Sequence, residues 1–256
     1  MQPELKSGER IDDLQNGYVL IQKSGTFCFG TDTVLIADFA APKKREKCVD
    51  MGCGNGAISI LMAAHQRDIE SIDAVEIQPE MADMARRSVE LNQLGEKIRV
   101  HTGDMRSAYE YLGCGKASLV VCNPPYGGSG ATLISQNEPE RIARHESDLT
   151  CDDIACAADK LLKYGGRFCV VYPAQRAFEM MAAMDKFRLA PKRLRSVHAT
   201  AEKAPKIVLI EAVKGGGKGL HWLPKKRKYK VLKSLVRTIP YRRNMPGVVG
   251  EMSLAY

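Results

Sequence analysis

Residues 50–56 read Asp-Met-Gly-Cys-Gly-Asn-Gly and separate two short apolar segments. The segment before them, residues 48–51, predicts a strand, and the segment after them, residues 57–65, predicts a helix. Glycine tolerates positive φ and lets the backbone approach a ligand closely. A helix that begins near Gly56 directs its free N–H groups and its positive end into the loop. The stretch therefore predicts a strand–loop–helix unit that binds a small ligand.

Strand-like and helix-like segments alternate along the rest of the chain. Predicted strands cover residues 48–51, 71–76, 98–101, 117–122, 167–172, 193–198 and 206–213, and predicted helices cover residues 34–40, 57–65, 79–92, 149–164 and 174–187. This alternation predicts an α/β, Rossmann-like fold with a mostly parallel, seven-stranded sheet. The last two strands are joined by a short segment and are expected to form an antiparallel hairpin. We expect a β-rich extension and a cap helix over residues 1–40, the α/β domain over 41–213, and a separate tail over 214–256.

Composition excludes several classes of protein. The 256 residues contain no run of about 18 apolar residues that would span a membrane, and the N-terminal residues lack the apolar core of a signal peptide. The eight cysteines include no C-x-x-C pair, and the histidines have no metal-ligand spacing. We therefore expect a cytoplasmic protein with reduced cysteines and no bound metal.

Three acidic side chains lie at or just after the ends of three consecutive predicted strands. Asp50 opens the glycine loop, Glu76 ends the next strand, and Asp104 follows the third. In a parallel sheet these strand ends lie at one edge, where such folds bind ligands. The loop pattern G-x-G-x-G differs from the dinucleotide fingerprint, and an acid at this place would repel a pyrophosphate. The acids suit an amino-acid-bearing nucleoside: Asp50 an ammonium or sulfonium, Glu76 two ribose hydroxyls, and Asp104 an adenine amino group. The alternative to a ligand site is a tight turn whose acidic side chains are simply exposed to solvent.

A conformationally restricted segment follows the most apolar of the predicted strands. Residues 123–126 read Asn-Pro-Pro-Tyr, directly after a strand that is apolar enough to be buried on both faces. The two prolines fix the backbone and end hydrogen bonding within the sheet. They hold one amide side chain and one aromatic side chain at the edge where the acids are expected. The alternative is a turn that merely ends a strand.

Residues 48–126 resemble the class I S-adenosylmethionine-dependent methyltransferases. The pattern D-x-G-x-G-x-G is similar to the cofactor loop of that fold, and N-P-P-Y is similar to its amino-methylating signature. Residues 10–18, 27–37 and 143–146 further resemble the bacterial tRNA1(Val) adenine-37 N6-methyltransferases, so the resemblance covers about residues 8–213.

The resemblance implies a role for each of these positions. S-adenosyl-L-methionine is the implied cofactor, held by Asp50, the glycines of the loop at 52, 54 and 56, Glu76, Asp104 and Asn123, with Thr31 and Asp32 as secondary contacts. Thr31 and Asp32 are also candidates for the N-cap of the helix that follows. Asn123 and Pro124 would hold the amino group that is methylated, and Tyr126 would stack on its base. Arg144, His145 and Glu146 lie in a polar loop after the glycines of residues 127–130, near the expected site, which indicates a lid or an acceptor contact. The alternative for these three residues is a solvated linker.

The expected substrate is RNA, in particular tRNA, and two other interpretations stay open. A protein glutamine side chain offers the same planar amide group to the N-P-P-Y segment, which makes a protein-glutamine N5-methyltransferase the alternative enzyme. A non-catalytic RNA-binding protein that uses its basic tail is the third hypothesis.

The tail carries the excess positive charge of the chain. Lys and Arg number 38 in the whole sequence and Asp and Glu 30, but residues 214–256 contain 11 of the former and only Glu251 of the latter. This composition is typical of an RNA-backbone contact or of a disordered charged segment. The tail departs from the pattern of the similar enzymes after residue 224, as a frameshift or divergence would produce. We therefore expect residues 225–256 to pack poorly.

Overall fold

A computed structural model of the chain describes residues 4–15, 17–23, 29–125, 149–200 and 202–227. An N-terminal hairpin consists of β1 (Glu9–Gln15) and β2 (Tyr18–Lys23). The strands of the main sheet are β3 (Lys47–Met51), β4 (Ser71–Glu76), β5 (Ile98–Thr102), β6 (Ala117–Cys122), β7 (Leu162–Pro173), β8 (Leu189–His198), β9 (Pro205–Lys214) and β10 (His221–Arg227). The helices are α1 (Thr31–Ala40), α2 (Ala57–His65), α3 (Pro79–Leu91), α4 (Ala108–Leu112), α5 (Cys151–Leu161) and α6 (Ala177–Lys186).

The main sheet is parallel except for one strand. Its order is β10-β8-β9-β7-β6-β3-β4-β5, and only β9 runs against its neighbours β7 and β8. The mostly parallel α/β fold and the antiparallel pair near the C-terminus are therefore confirmed. From β3 the chain builds outward through β4 and β5, then returns to place β6 on the other side of β3. This reversal is the switch point at which such sheets bind ligands.

The sheet has eight strands and not the predicted seven. The additional strand, β10, pairs in parallel with β8 and lies at the edge of the sheet. It belongs to the segment that composition assigned to a separate tail, and it includes residues 225–227, which were expected to pack poorly. Backbone hydrogen bonding to β8 does not depend on the basic side chains, so the composition could not reveal it. Residues 228–256 lie outside the part of the chain that the structure describes.

Helices cover both faces of the sheet. The first core cluster joins α1, α2 and the buried side of α3 to one face, and the second joins α4, α5 and α6 to the other. Strand β6 is buried along its whole length, as expected for a central parallel strand covered on both sides. None of the described helices has the length and apolar character that crossing a bilayer would need.

The N-terminal hairpin is attached to α3 by side chains that take the place of a neighbouring strand. Asn92 accepts a hydrogen bond from the Val19 amide at 3.0 Å and donates one to the Val19 carbonyl at 2.7 Å. One turn earlier, Ser88 Oγ accepts from the Ile21 amide at 3.0 Å. Ser88 and Asn92 are both buried, so these bonds satisfy backbone groups that water does not reach. The hairpin consequently lies beside the loop that precedes α2.

A buried arginine attaches the end of α1 to the sheet. Arg167 donates to the Ala40 carbonyl at 2.8 Å and forms ion pairs with Glu46 at 2.9 Å and Glu211 at 3.1 Å. The cation near the last carbonyls of α1 also suits the negative end of that helix. The predicted cap helix and the α/β domain therefore share one core.

Candidate active site at the sheet switch point

The glycine loop turns from β3 into α2 through three residues with left-handed backbone conformations. The φ angles are +72° at Gly52, +56° at Gly54 and +88° at Gly56. The carbonyl of Val75, on the neighbouring strand β4, accepts hydrogen bonds at 2.9 Å from the amides of both Gly52 and Cys53. The positive φ angles confirm that these positions use the backbone freedom of glycine, whereas the close approach of a ligand to the loop stays a prediction. The turn leaves Gly56 at the N-terminus of α2, with no side-chain cap.

Asp50 lies completely buried beneath the loop. Its Oδ2 accepts a hydrogen bond from Ser59 Oγ at 2.6 Å, whereas its Oδ1 has no hydrogen-bond partner among the described residues. Burial raises the pKa of Asp50 to about 7, and the nearby charge of Glu76 acts in the same direction, against the hydrogen bond from Ser59. A buried carboxylate with an unused oxygen favours a cationic ligand, because a positive charge would stabilise its ionised form. Ser59, the third residue of α2, was not among the predicted site residues, although its place in the first turn of the helix could have suggested it.

Glu76 links the glycine loop to the end of β4. Its Oε2 accepts from the Gly54 amide at 2.9 Å, and its Oε1 accepts from the Gln78 amide at 2.8 Å. The side chain is only 6% exposed. The carboxylate is therefore fixed in orientation, and a ligand hydroxyl would share it with these two amides.

Asp104 lies at the end of β5 and is paired with an arginine that sequence analysis missed. Its Oδ1 accepts from the Arg106 amide at 2.8 Å, and its Oδ2 accepts from the Arg106 guanidinium at 2.8 and 2.5 Å. Any ligand that donates to Asp104 would share the carboxylate with Arg106. The two residues are only two positions apart, so their opposite charges in D-x-R could have suggested this pair.

Asn123 and Pro124 follow β6, directly beside the glycine loop. The register pairs Cys122 with Met51, so the next residue on each strand is Asn123 and Gly52 respectively. Asn123 is half-buried and Pro124 is buried. The predicted strand ends that carry Asp50, Glu76 and Asn123 are therefore brought together. Tyr126, Arg144, His145 and Glu146 lie outside the described residues.

Neither Thr31 nor Asp32 caps α1, so the predicted capping role is wrong. The N-cap is Gly30, which has no side chain with which to cap the helix, and the Thr33 amide donates a hydrogen bond to the Gly30 carbonyl at 3.1 Å. Thr31 and Asp32 occupy the first turn of the helix, where an acid suits the positive end of the helix.

A buried glutamine connects the hairpin, the glycine loop and the entry to α1. Gln22 is 2% exposed, and its Oε1 accepts from the Phe29 amide at 2.8 Å. Asn55 Nδ2, in the glycine loop, lies 3.5 Å from the same oxygen, and the Gln22 amide nitrogen donates to Asp12. Gln22 thus holds the residue next to Gly30 close to the loop. No local pattern marks it, because its partners are distant in sequence.

Substituting Gly56 with Ala is expected to destabilise the fold by about 1–2 kcal/mol, since a side chain is strained in the left-handed region. The new Cβ would also lie 3.3 Å from Ala85 Cβ, closer than ordinary contacts. Urea unfolding measures the change. Gly95→Ala is the matched control, because no atom lies within 4 Å of its new Cβ and its φ is not positive. Equal stability of the two variants would contradict the role assigned to Gly56.

The raised pKa of Asp50 predicts a pH-dependent contribution to stability. Between about pH 4 and pH 7 the carboxyl is protonated in the folded state but ionises in the unfolded state, so the free energy of unfolding falls as pH rises through this window. The loss is at most about 4 kcal/mol. Asp50→Asn lacks this contribution, so its stability relative to the parent protein is expected to increase from pH 5 to pH 8. Denaturant unfolding at both pH values measures the difference, and a difference that is independent of pH would contradict the assignment.

Replacing Gln22 with Met keeps the approximate size of the side chain but removes its hydrogen bonds. S-adenosylmethionine is the cofactor that the sequence resemblance implies. We expect the variant to bind it about tenfold more weakly, because it loses one or two buried hydrogen bonds that position the entry to α1 beside the glycine loop. Isothermal titration calorimetry measures the affinity, and circular dichroism verifies the fold. Gln175→Met, at an exposed position, is the control. An unchanged dissociation constant in a folded Gln22→Met variant would show that Gln22 does not position this segment.

Comparison with known proteins agrees with the geometry. Residues 18–195 match the family model described as the methyltransferase small domain. The tRNA1(Val) (adenine(37)-N6)-methyltransferase of Porphyromonas gingivalis is 30% identical over 189 residues, which cover 71% of this chain and 72% of that enzyme. The enzyme of the same name from Yersinia pseudotuberculosis is 33% identical over 150 residues, which cover 59% of this chain and 58% of that enzyme.

Solved structures share the fold. A predicted O-methyltransferase from Agrobacterium tumefaciens superposes with a TM-score of 0.64 at 22% identity, covering 84% of this chain and all of that one. The match of the family model to most of the chain, together with the glycine loop at the switch point, decides the family. The chain belongs to the methyltransferase small domain family of S-adenosylmethionine-dependent methyltransferases.

Proposed function

We propose that this protein transfers a methyl group from S-adenosyl-L-methionine to the N6 amino group of an adenine in RNA, and that the RNA is a tRNA. The observation that carries the proposal is the juxtaposition of two strand ends. Asn123 and Pro124 follow β6 at the level where the glycine loop follows β3. A cofactor on that loop and an amino group at Asn123 would therefore meet at the switch point of the sheet.

The residues at the loop fit the proposed cofactor. S-adenosylmethionine supplies an electrophilic methyl group on a sulfonium. The glycines at 52, 54 and 56 allow a ligand to approach the backbone, and the unused oxygen of buried Asp50 favours a positive charge nearby. Glu76 would accept hydrogen bonds from the ribose hydroxyls. Asp104, together with Arg106, would lie toward the adenine. Thr31 and Asp32 would contact the amino-acid end.

Asn123 and Pro124 would prepare a poor nucleophile. The lone pair of an exocyclic amine is delocalised into the base, which reduces its reactivity. The Asn123 side-chain oxygen and the Pro124 carbonyl would accept the two amino hydrogens and so favour a nitrogen whose lone pair points out of the ring plane. Groups aimed at the transition state in this way contribute about 2–4 kcal/mol each. Tyr126 would stack on the base, which is worth about 1–3 kcal/mol.

The named activity of the relatives supports RNA adenine as the acceptor. Both the Porphyromonas and the Yersinia relatives are tRNA1(Val) (adenine(37)-N6)-methyltransferases. The match to the Yersinia enzyme spans 58% of its length, so the activity of the whole relative is carried over here as part of the proposal. A tRNA substrate would place the activity in the cytoplasm.

Two other functions make different predictions. A protein-glutamine N5-methyltransferase would present the same Asn123 and Pro124 to a side-chain amide, and would methylate protein instead of RNA. A non-catalytic RNA-binding protein would bind tRNA without transferring methyl groups. The names of the relatives favour an RNA acceptor over a protein acceptor. The fit of the cofactor residues favours a methyltransferase over a non-catalytic RNA-binding protein.

The deciding experiment follows tritiated methyl from S-adenosylmethionine into unmodified tRNA, a glutamine-containing protein fraction, or neither. We expect label in tRNA, as N6-methyladenosine. Asn123→Ala is expected to lower the single-turnover rate by about 10²–10³-fold, because one acceptor aimed at the transition state is lost. Cofactor affinity, measured on the same variant by calorimetry, should change little. Full transfer by Asn123→Ala would refute the role of Asn123, and label in protein alone would refute the RNA substrate.

A further inference from the structure

The carboxyl edge of the sheet continues beyond the candidate site across four more strands. From β6 the order runs β7, β9, β8 and β10. The pairing registers align the ends of these strands: Pro173 with Ile207, Pro205 with His198, and His198 with Arg227. At a strand spacing of about 4.8 Å, this edge extends about 19 Å from β6 to β10.

Lysines occupy this edge. Lys203 and Lys206 lie where the chain enters β9, Lys225 lies near the end of β10, and all three are exposed. We call these three residues the basic edge. Strand β10 then ends with Lys226 and Arg227. Among the described residues that flank these strand ends in sequence, the acids are Glu202 and Glu179, and Glu179 pairs with Arg176 at 2.9 Å.

We infer that the basic edge binds the sugar–phosphate backbone of the RNA beside the target adenine, an inference that rests on the proposed function. An adenine at Asn123 would bring its flanking nucleotides to the same edge of the sheet. Exposed lysines spaced along that edge would then neutralise successive phosphates, which releases counterions and favours binding. These lysines at the strand ends offer contacts to the backbone without reading bases, so they would position the RNA and not select its sequence.

Strand β10 is what completes this surface. Its parallel pairing with β8 directs its final residues to the carboxyl edge, where the site lies. An antiparallel β10 would have carried Lys225 to the opposite edge. Lys225 therefore lies on the side of the sheet where RNA would enter.

The opposite edge provides a charge-matched control. Lys116 precedes β6, Lys163 lies at the start of β7, Lys218 precedes β10, and all three are exposed. These lysines lie at the amino ends of parallel strands, away from Asn123. General attraction between a basic protein and RNA would depend on both sets of lysines equally, whereas the inferred surface depends on one.

The test compares two triple variants of the full chain: Lys203→Ala/Lys206→Ala/Lys225→Ala and Lys116→Ala/Lys163→Ala/Lys218→Ala. Dissociation constants for an unmodified tRNA transcript are measured as a function of KCl concentration. We expect the basic-edge variant to bind about 50-fold more weakly near physiological salt and the slope of log Kd against log[salt] to fall by about 2, from three lost phosphate contacts. The control variant should stay within about twofold of the parent protein.

The outcomes distinguish failure of the inferred RNA-binding surface from failure of the proposed function. If the parent protein methylates tRNA but the two triple variants bind tRNA equally well, the inferred surface is wrong and the proposed function stands. If the parent protein neither binds nor methylates tRNA, both fail. Calorimetric binding of S-adenosylmethionine by both variants verifies that each is folded.

Discussion

The turn from β3 into α2 is the constraint on which the rest of the site depends. Three left-handed glycines at alternate positions, 52, 54 and 56, bend the chain sharply, and the turn is held from the adjacent strand by the Val75 carbonyl and the Glu76 carboxylate. The hydrogen bonds run between β3 and β4, so the loop can form only when the parallel pairing is in register. The same contacts orient Glu76. Fold and binding site are therefore specified together by one local geometry.

Much of this arrangement could be predicted from the sequence, because parallel strands bring their carboxyl ends to one edge. Recognising the strands before Asp50, Glu76 and Asn123 was sufficient to place these side chains together. What could not be predicted depends on contacts between distant residues. Gln22 acts through Phe29 and Asn55, and nothing in its own segment indicates those partners. Strand β10 was missed for a related reason: its pairing uses backbone groups, while its composition is typical of a solvated tail.

Burying the carboxyl group of Asp50 in the site lowers the stability of the fold. Asp50 has no exposed surface and receives one hydrogen bond, from Ser59, which leaves burial as the dominant influence and raises its pKa to about 7. A neutral residue of the same shape would be cheaper to bury. Residues that are unfavourable for folding but located at a ligand site are expected where function opposes stability. Asp50 is in that position, directly below the glycines.

The switch point explains why the second motif must be stiff. The glycine loop and the Asn123–Pro124 segment follow β3 and β6, which are adjacent in the sheet. Along the chain, however, about seventy residues, including β4 and β5, lie between the two motifs. No short connection holds one motif against the other, so each must be positioned by its own strand. After β3, the hydrogen bonds that the glycine loop donates to Val75 and Glu76 on β4 supply this rigidity. On β6 the strand is buried along its length and Pro124 is buried after it, which leaves the backbone little freedom. Two independently rigid segments on neighbouring strands can hold a donor and an acceptor at a constant separation, which a flexible loop on either side would not do.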